Sequence, residues 1–205
     1  MSPKNANGRL NPQLREELPK AYKQGQLDAL CGLYSIINAC RMMCKSPEID
    51  KRISGWELFN FLVEALDKHR KAAEVMCYGI GNKDHLKCLK VARKYLLGKH
   101  GLLLEYKRPF RNSTAPTVSQ AFTMVGQHLE LPGTGALLDF KTASYQHWTV
   151  ISSIKKREVQ FYDSTGIRSR PFGDFQILRQ SNNKLKRKMA FFKSGLILLQ
   201  VTKLE

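Results

Sequence analysis

The sequence predicts an α+β fold in which helices precede an antiparallel β-sheet. Helical patterns dominate residues 31–129, whereas residues 136–201 form a series of strand patterns. Helices and strands that are segregated along the chain in this way are typical of the α+β class. The chain has 205 residues, of which 42% are hydrophobic, and this is sufficient for one domain with a packed core. We expect the polar residues 1–20 to form an arm and residues 21–205 to form that domain.

Two helices are predicted in the first third of the chain from the spacing of apolar residues. The segment 31–44 has apolar residues on one face of a helix, namely Leu33, Ile36, Ile37, Cys40 and Met43. Ser54 and Glu57 have the spacing of a capping box, so a second helix is expected to begin at Ser54. Its predicted apolar stripe consists of Trp56, Phe59, Leu62, Val63 and Leu66.

Two further helices flank a short strand. One helix is predicted over 83–97 and ends at Gly98, because glycine commonly follows the last helical turn. The apolar run 102–106 predicts a strand. The segment 117–129 begins with a second capping-box pattern, a Thr and a Gln three residues apart, and is therefore expected to be helical.

The pattern changes to strands after the Pro-Gly pair at 132–133. Six segments have the composition that favours strands. They are 136–140, 147–154, 158–164, the vicinity of 175–179, 189–192 and 196–201.

The chain is strongly basic, with 34 Lys and Arg against 17 Asp and Glu and a formal net charge of +17. Such a surface favours encounters with acidic proteins, nucleic acids or anionic lipids. One concentration of charge, the basic patch Lys184, Lys186, Arg187 and Lys188, is expected at the tip of a hairpin. It is interpreted either as a solvated loop that discourages aggregation or as a docking site for nucleic acid or an acidic partner.

The sequence predicts no membrane span and no Sec export. The apolar runs are too short to cross a bilayer, and the first twenty residues lack the apolar stretch of an export signal. We expect a cytoplasmic protein, or a bacterial effector delivered by a dedicated secretion machine. The five cysteines are then expected to be reduced.

Cys31 is the first candidate for a chemical role because it stands at the expected start of a helix. The unpaired N–H groups and partial positive charge of a helix N-terminus favour the thiolate, which is the nucleophilic form of cysteine. Gly32 lacks a Cβ and would let the backbone of a substrate approach the sulfur. A buried structural cysteine is the alternative interpretation.

A histidine and an aspartate in the predicted sheet form the second candidate. His147 opens one strand, and Asp163 ends the next. A three-residue hairpin loop over 154–156 would place the two residues directly opposite each other, so that the carboxylate orients the imidazole and stabilises its protonated form. A two-residue loop over 155–156 would instead place Asp163 opposite Trp148, with its carboxylate on the other face of the sheet.

The chain order of these residues resembles that of the papain-like cysteine peptidases. The similarity extends over about residues 24–201 and is specific in three segments: Cys31-Gly32 with the helix LYSIINA, His147 with the strand WTVI, and Asp163 within FYDST. The chain is most similar to compact bacterial members, such as bacteriocin-leader peptidases, and to proteases of ubiquitin-like modifiers. The resemblance implies a papain-like fold with Cys31 as nucleophile, His147 as base and Asp163 as the residue that orients the base.

The resemblance also implies an oxyanion-binding glutamine about six residues before the nucleophile. That position is Gly25 in this chain, with Gln24 and Gln26 on either side. Gln26 is the preferred candidate and Gln24 the alternative, with the backbone N–H of Cys31 as the second donor. The residue before the nucleophile is Leu30, where many members have Asp or Trp.

The activity implied by the resemblance is cleavage of a peptide or isopeptide bond in a protein or peptide substrate, without a cofactor. Acyltransferases, transglutaminases and deamidases use the same three residues, so these reactions stay open. A nucleic-acid-binding protein without enzymatic activity is the alternative that the net charge suggests. Trp148 is expected either to line the substrate cleft or to pack in the core.

A zinc site is not predicted, although several residues are of the types that bind zinc. The sequence contains no CxxC pair, and Cys40 and Cys44 lie among apolar residues of a predicted helix. The residues considered were Cys40, Cys44, Cys77, His85 and Cys88.

Overall fold

The computed structural model describes residues 19–24, 29–68, 72–112, 114, 116–178 and 189–204. These ranges contain five α-helices, α1 (Cys31–Cys44), α2 (Gly55–Asp67), α3 (Ala72–Tyr78), α4 (Asn82–His100) and α5 (Val118–His128), and one 3-10 helix (Phe172–Asp174). They also contain seven strands: β1 (Leu102–Lys107), β2 (Thr134–Lys141), β3 (Gln146–Lys155), β4 (Glu158–Phe161), β5 (Ser169–Pro171), β6 (Phe175–Leu178) and β7 (Met189–Lys203). The predicted α+β class is therefore confirmed.

The seven strands form one sheet in the order β1-β7-β2-β3-β4-β5, and β6 pairs with β7 outside this path. The pairings are antiparallel except for that of β6 with β7. The predicted segments 189–192 and 196–201 are joined in the single long strand β7. β3, which carries His147, lies inside the sheet between β2 and β4.

The sheet separates two hydrophobic cores. Helices α1, α2 and α4 pack on one face, against side chains that include Leu137 and Val150. Alternate residues of the same strands, such as Leu138 and Ile151, face the second core, which includes Phe122 of α5. Both faces of the central strands are covered, so β2 is buried along almost its whole length.

Helix α2 begins where the sequence predicts, but its apolar face differs. The Ser54 hydroxyl accepts a hydrogen bond from the Glu57 N–H (3.2 Å), whereas the Glu57 carboxylate accepts one from Tyr95 (2.9 Å) instead of completing the capping box. Trp56 is 70% exposed and does not belong to the buried face. That face consists of Gly55, Leu58, Leu62 and Leu66.

The other helices differ from prediction mainly at their ends. The helix predicted over 83–97 continues through Gly98 and ends before Gly101, whose φ of 64° is the left-handed conformation that glycine adopts readily. The predicted capping box at the start of α5 is confirmed, with hydrogen bonds of 3.2 and 2.8 Å between Thr117 and Gln120. Helix α3 and strand β5 were not predicted.

The described residues 19–24, at the junction of the expected arm and the domain, pack on α1. The Asn38 side chain forms two hydrogen bonds with the backbone of Tyr22, at 2.9 and 3.1 Å. The Arg41 guanidinium lies 4.2 Å from the centre of the Tyr22 ring. Residues 19–24 therefore belong to the packed structure, and residues 1–18 lie outside the described residues. None of the described helices is both long and apolar enough to cross a bilayer.

The loop between β3 and β4 has two residues, Lys156 and Arg157, because Lys155 pairs with Glu158. Neither of the two loops considered from the sequence, 154–156 or 155–156, is therefore the observed one. Both loop residues have positive φ angles, 46° and 63°, as in the type I′ turn that matches the twist of a hairpin. Tight turn geometry thus overrides the poor preference of Lys and Arg for this conformation.

A β-bulge at Ser152 inserts one extra residue into β3 opposite β4. Ile151 therefore pairs with Phe161, and the next backbone hydrogen bond runs from the Tyr162 N–H to the Val150 carbonyl (2.9 Å). A one-residue change of register turns every later side chain to the other face of the strand pair.

The bulge brings Asp163 to the face of the sheet that carries His147. If the pairing is continued by one residue, Asp163 lies opposite Thr149, which is two residues from His147 on β3. Asp163 is therefore diagonal to His147, not directly opposite as predicted. The two-residue loop without the bulge would have turned the carboxylate to the other face.

We expect Lys156→Asn to raise the free energy of unfolding by about 0.5–1 kcal/mol, because Asn adopts a positive φ at lower cost than Lys. Urea unfolding followed by circular dichroism measures the change. Lys155→Asn in the adjoining strand is the matched control and should not stabilise, because Asn disfavours extended backbone. Stabilisation by both substitutions, or by neither, would contradict the two-residue loop.

Candidate active site

Cys31 is the first residue of α1, and its side chain is half-buried. Leu30 precedes it at the N-cap position and contributes no side-chain hydrogen bond to the helix. The first N–H groups of a helix lack intrahelical acceptors and carry a partial positive charge. The thiol thus lies where a negative charge is stabilised.

His147 and Asp163 form a buried hydrogen-bonded pair. The His147 Nε2 lies 2.7 Å from the Asp163 Oδ1. The two residues are only 3% and 7% exposed, so the pair is shielded from water and from dissolved ions. The carboxylate therefore fixes the orientation of the imidazole ring.

The second oxygen of Asp163 is held by the turn that follows it. Oδ2 accepts hydrogen bonds from the Thr165 N–H (2.7 Å), the Thr165 hydroxyl (2.6 Å) and, at a longer distance, the Ile167 N–H (3.4 Å). Burial raises the pKa of Asp163, but hydrogen bonds and the charge of His147 outweigh it and lower the pKa to about 2. The carboxylate therefore stays ionised at neutral pH.

Cys31 lies near the His147 ring, and its thiol also donates a long hydrogen bond to the Ala29 carbonyl (4.0 Å). Burial lowers the pKa of His147, but hydrogen bonds with Asp163 and Cys31 outweigh burial and raise the pKa to about 9. Because Nε2 faces the carboxylate, Nδ1 is the ring nitrogen left for the thiol. The structure thus brings the three residues together in the order thiol, imidazole, carboxylate.

A second histidine, His85, connects the helix that carries Cys31 with the strand that carries His147. His85 of α4 is fully buried and stacks on Trp148, with ring centres 3.7 Å apart and planes 6° from parallel. Its Nε2 lies 3.3 Å from the Ser35 hydroxyl, which itself donates to the Gly32 carbonyl (2.8 Å). The ring therefore connects the first turn of α1, next to Cys31, with the start of β3, next to His147.

Gly32 and Trp148, which were expected to contact substrate, lie in the interior. A Cβ added to Gly32 would come within 2.5 Å of an Ile80 side-chain carbon, so the glycine allows close packing of α1 on this residue. Trp148 is 2% exposed and packs on His85. Neither residue presents surface to solvent, and both position the residue beside them.

Of the two oxyanion candidates, Gln24 is described and Gln26 lies outside the described residues. The Gln24 N–H donates to the Ser164 carbonyl (3.1 Å), next to Asp163. The neighbouring Tyr162 hydroxyl donates to the carbonyl of Pro19. The chain before Cys31 is thus attached to the loop that carries the carboxylate.

The basic patch Lys184, Lys186, Arg187 and Lys188 also lies outside the described residues. The prediction of a charged hairpin tip there is therefore untested.

A second carboxylate lies close to the histidine but has its own partner. Asp139 of β2 is 5% exposed and accepts two hydrogen bonds from the Gln146 amide, at 2.8 and 2.9 Å. Burial raises the pKa of Asp139 to about 6, although Gln146 and nearby positive charges oppose the shift. Asp163, not Asp139, is bonded to the His147 ring.

The other cysteines have different surroundings. Cys40, Cys44 and Cys88 are buried, and burial raises the pKa of Cys40 well above its usual value and those of Cys44 and Cys88 to about 12. Cys77 is exposed. Within the part of the chain that the structure describes, no three His, Cys, Asp or Glu side chains are arranged to hold a metal ion.

No protein-family model matches this chain, and no curated protein matches it significantly.

Several residues that build the site were not found by sequence reasoning. His85 was considered only as a zinc ligand, and Ser35 and Thr165 were not considered. The pattern Asp-Ser-Thr at 163–165 is a usable signal, because aspartate commonly accepts a hydrogen bond from the N–H two residues later. The contacts of His85 join residues fifty positions apart and have no comparable local pattern.

We expect Asp163→Asn to lower the pKa of His147 from about 9 by about one to three pH units, because the adjacent negative charge is removed while burial remains. Titration of the ring signals by NMR measures the change. Asp139→Asn is the matched control and should have a smaller effect, because that carboxylate is bonded to Gln146. Equal effects of the two substitutions would contradict the assigned pair.

Because His85 is buried, we expect the folded protein to lose stability in acid. Burial is the main cause that lowers the pKa of His85 to about 3, whereas an unfolded histidine titrates near 6.5. Between these values the unfolded chain binds the proton and the folded chain does not, so His85 lowers the free energy of unfolding by up to about 1.4 kcal/mol per pH unit as the pH falls.

His85→Phe keeps an aromatic ring against Trp148 and removes this proton linkage. The variant should be less stable than wild type at pH 7, and the difference should shrink as the pH falls below about 6. Urea unfolding at several pH values measures both proteins. Parallel stability curves over this range would show that His85 is not a neutral buried ring.

Proposed function

We propose that this protein is a papain-like cysteine peptidase that cleaves a peptide or isopeptide bond in a protein substrate. The observation that carries the proposal is the His147–Asp163 hydrogen bond of 2.7 Å beside a cysteine at a helix N-terminus. Further support comes from the helical half of the chain, which packs on an antiparallel sheet, and from the order of the three residues along it.

The His147 ring carries a positive charge in the proposed mechanism. The pKa of His147, about 9, keeps that ring protonated at neutral pH. The Cys31 sulfur beside it is proposed to attack as the thiolate, the nucleophilic form of cysteine. Asp163 stabilises the protonated ring in turn. Cys31 is half-buried while its partners are almost fully covered, so Cys31 is the residue of the three that is open to a substrate.

The first half of the proposed reaction forms an acyl-enzyme. The Cys31 thiolate attacks the carbonyl carbon, a C–S bond forms, and the carbonyl electrons move to oxygen. The Cys31 N–H, at the first helical position, is suited to donate to that oxyanion, and Gln24 or Gln26 is the proposed second donor. His147 then gives its proton to the leaving amine as the C–N bond breaks.

The second half releases the acid. His147 takes a proton from water, the resulting hydroxide forms a C–O bond at the thioester carbon, and the C–S bond breaks. The thiolate of Cys31 and the protonated ring of His147 are restored. Each donor to the oxyanion typically contributes about 3 kcal/mol to stabilising the transition state.

Selective alkylation tests the proposed nucleophile. At pH 6 and a limiting concentration of iodoacetamide, we expect Cys31 to react at least about tenfold faster than Cys77, although Cys77 is the more exposed thiol. His147→Ala should slow the labelling of Cys31 and leave that of Cys77 unchanged. Peptide mapping by mass spectrometry measures both rates in one sample.

Cys77 and the buried thiols are internal controls for this experiment. Cys40, Cys44 and Cys88 should stay unlabelled while the protein is folded. Equal rates at Cys31 and Cys77, or no effect of His147→Ala, would reject the proposed nucleophile.

The reaction products distinguish peptide hydrolysis from deamidation and acyl transfer, which use the same three residues. Peptide cleavage in water enriched in the heavy oxygen isotope introduces that isotope at a new carboxyl terminus. Deamidation introduces it without cutting the chain, and transfer to an amine introduces none. Cys31→Ala, which keeps the remaining site intact, is the control for contaminating peptidases.

A further inference from the structure

A hollow of about 890 Å³ lies between α4 and the segment that follows β1. Three of its cationic residues are on α4 and three are at or after the end of β1. We call this site the basic hollow, and its cations are Lys83, Lys87, Lys90, Lys107, Arg108 and Arg111. The hollow is distinct from the basic patch of residues 184–188.

Few carboxylates of the described residues lie close to the cations of the basic hollow. Lys83, Lys87 and Lys90 have the spacing that aligns side chains on one face of a helix. Among the described residues, Asp84 is the one carboxylate within ion-pair distance of the six, at 3.2 Å from Lys87. Like charges gathered around a concave surface repel one another and focus a positive potential there. An anionic ligand would relieve that repulsion.

The basic hollow lies within reach of the proposed active site. Lys107 of β1 and Ile151 of β3 lie in the same row of paired residues across the sheet. The row runs through the pairs Lys107–Leu198, Leu198–Ala136 and Ala136–Ile151. Three strand spacings of about 4.8 Å and four residues of about 3.3 Å to His147 give a separation of about 20 Å. An extended polypeptide needs at least about six residues to cover this distance.

We infer that the basic hollow docks an acidic segment of the protein substrate, at least about six residues from the bond that is cleaved. The inference rests on the proposed function, because that function is the reason to identify the acidic ligand as part of a substrate. The site would then act on proteins that carry several Asp or Glu residues at this distance from the scissile bond. Charge complementarity would raise the rate of association and select among substrates.

The lining of the hollow fits an acidic polypeptide better than a nucleic acid. Single-stranded nucleic acids are commonly bound by several aromatic side chains on which bases stack. Among the described residues that line the hollow, Tyr106 is the one aromatic residue, and it is half-buried. The apolar lining is otherwise aliphatic, from Leu86 and Pro109.

Binding to an inactive protein tests the docking site without requiring catalysis. Cys31→Ala protein is titrated into a fluorescein-labelled octaglutamate peptide, and fluorescence anisotropy measures the dissociation constant at low and at physiological ionic strength. Adding Lys90→Glu and Arg111→Glu should weaken binding about tenfold or more, because two exposed charges of the hollow are reversed. Binding should also weaken with salt.

Lys51→Glu with Arg52→Glu is the matched control. Both residues are exposed and lie outside the hollow, and the change of net charge is the same. This pair should weaken binding less than about twofold. Circular dichroism of each variant verifies that it is folded.

Three outcomes would overturn the inference. The first is that the peptide does not bind at low salt, and the second is that both charge-reversal pairs weaken binding equally. The third is that an oligothymidylate of equal charge binds more tightly than the peptide and that Lys90→Glu with Arg111→Glu abolishes its binding. Failure of the alkylation experiment with normal peptide binding would reject the peptidase and leave an acidic-peptide site.

Discussion

The hydrogen bond between His147 and Asp163 places two ionisable groups in a part of the protein almost closed to water. Burial opposes the charge on each group, so the pair is stable only if its remaining polar atoms are also bonded. The turn after Asp163 meets this requirement by directing the Thr165 N–H and hydroxyl to the second carboxylate oxygen. The position of the imidazole, and hence its distance from Cys31, depends on this local network.

The thiol and the imidazole belong to different halves of the molecule, and their alignment depends on packing between the halves. Helix α1 lies against β2 and β3, and His85 fills the space between the first turn of α1 and Trp148. A neutral ring suits this position because a charged one would be costly to bury. Gly32 permits the close approach, since any side chain there would meet Ile80.

The sequence predicted helix starts well where the residues that decide them are close together in the chain. The Ser54 cap and the capping box at Thr117 are each decided by residues within one helical turn. The fold class followed from the order of such elements. Trp56 shows the limit, because helical spacing does not state which neighbouring element will cover a given side chain.

Features that depend on pairing over longer distances were predicted less well. The hairpin has a shorter loop than expected and an added bulge, two departures that compensate each other for the face of Asp163. Sequence reasoning therefore paired His147 with Asp163 through an incorrect register. The His85 contacts and the basic hollow arise from tertiary packing, which no local pattern records.

The bulge at Ser152 constrains the relative lengths of the two paired strands of this hairpin. Side chains alternate along a strand, so adding one residue to each strand, as a pair, preserves which side of the sheet receives the carboxylate. A single insertion or deletion within the paired part of one strand, with the loop and the bulge unchanged, reverses that side and separates the carboxylate from the imidazole. Variation in the length of its paired strands is therefore tolerated in even steps, a parity constraint that acts without changing Cys31, His147 or Asp163.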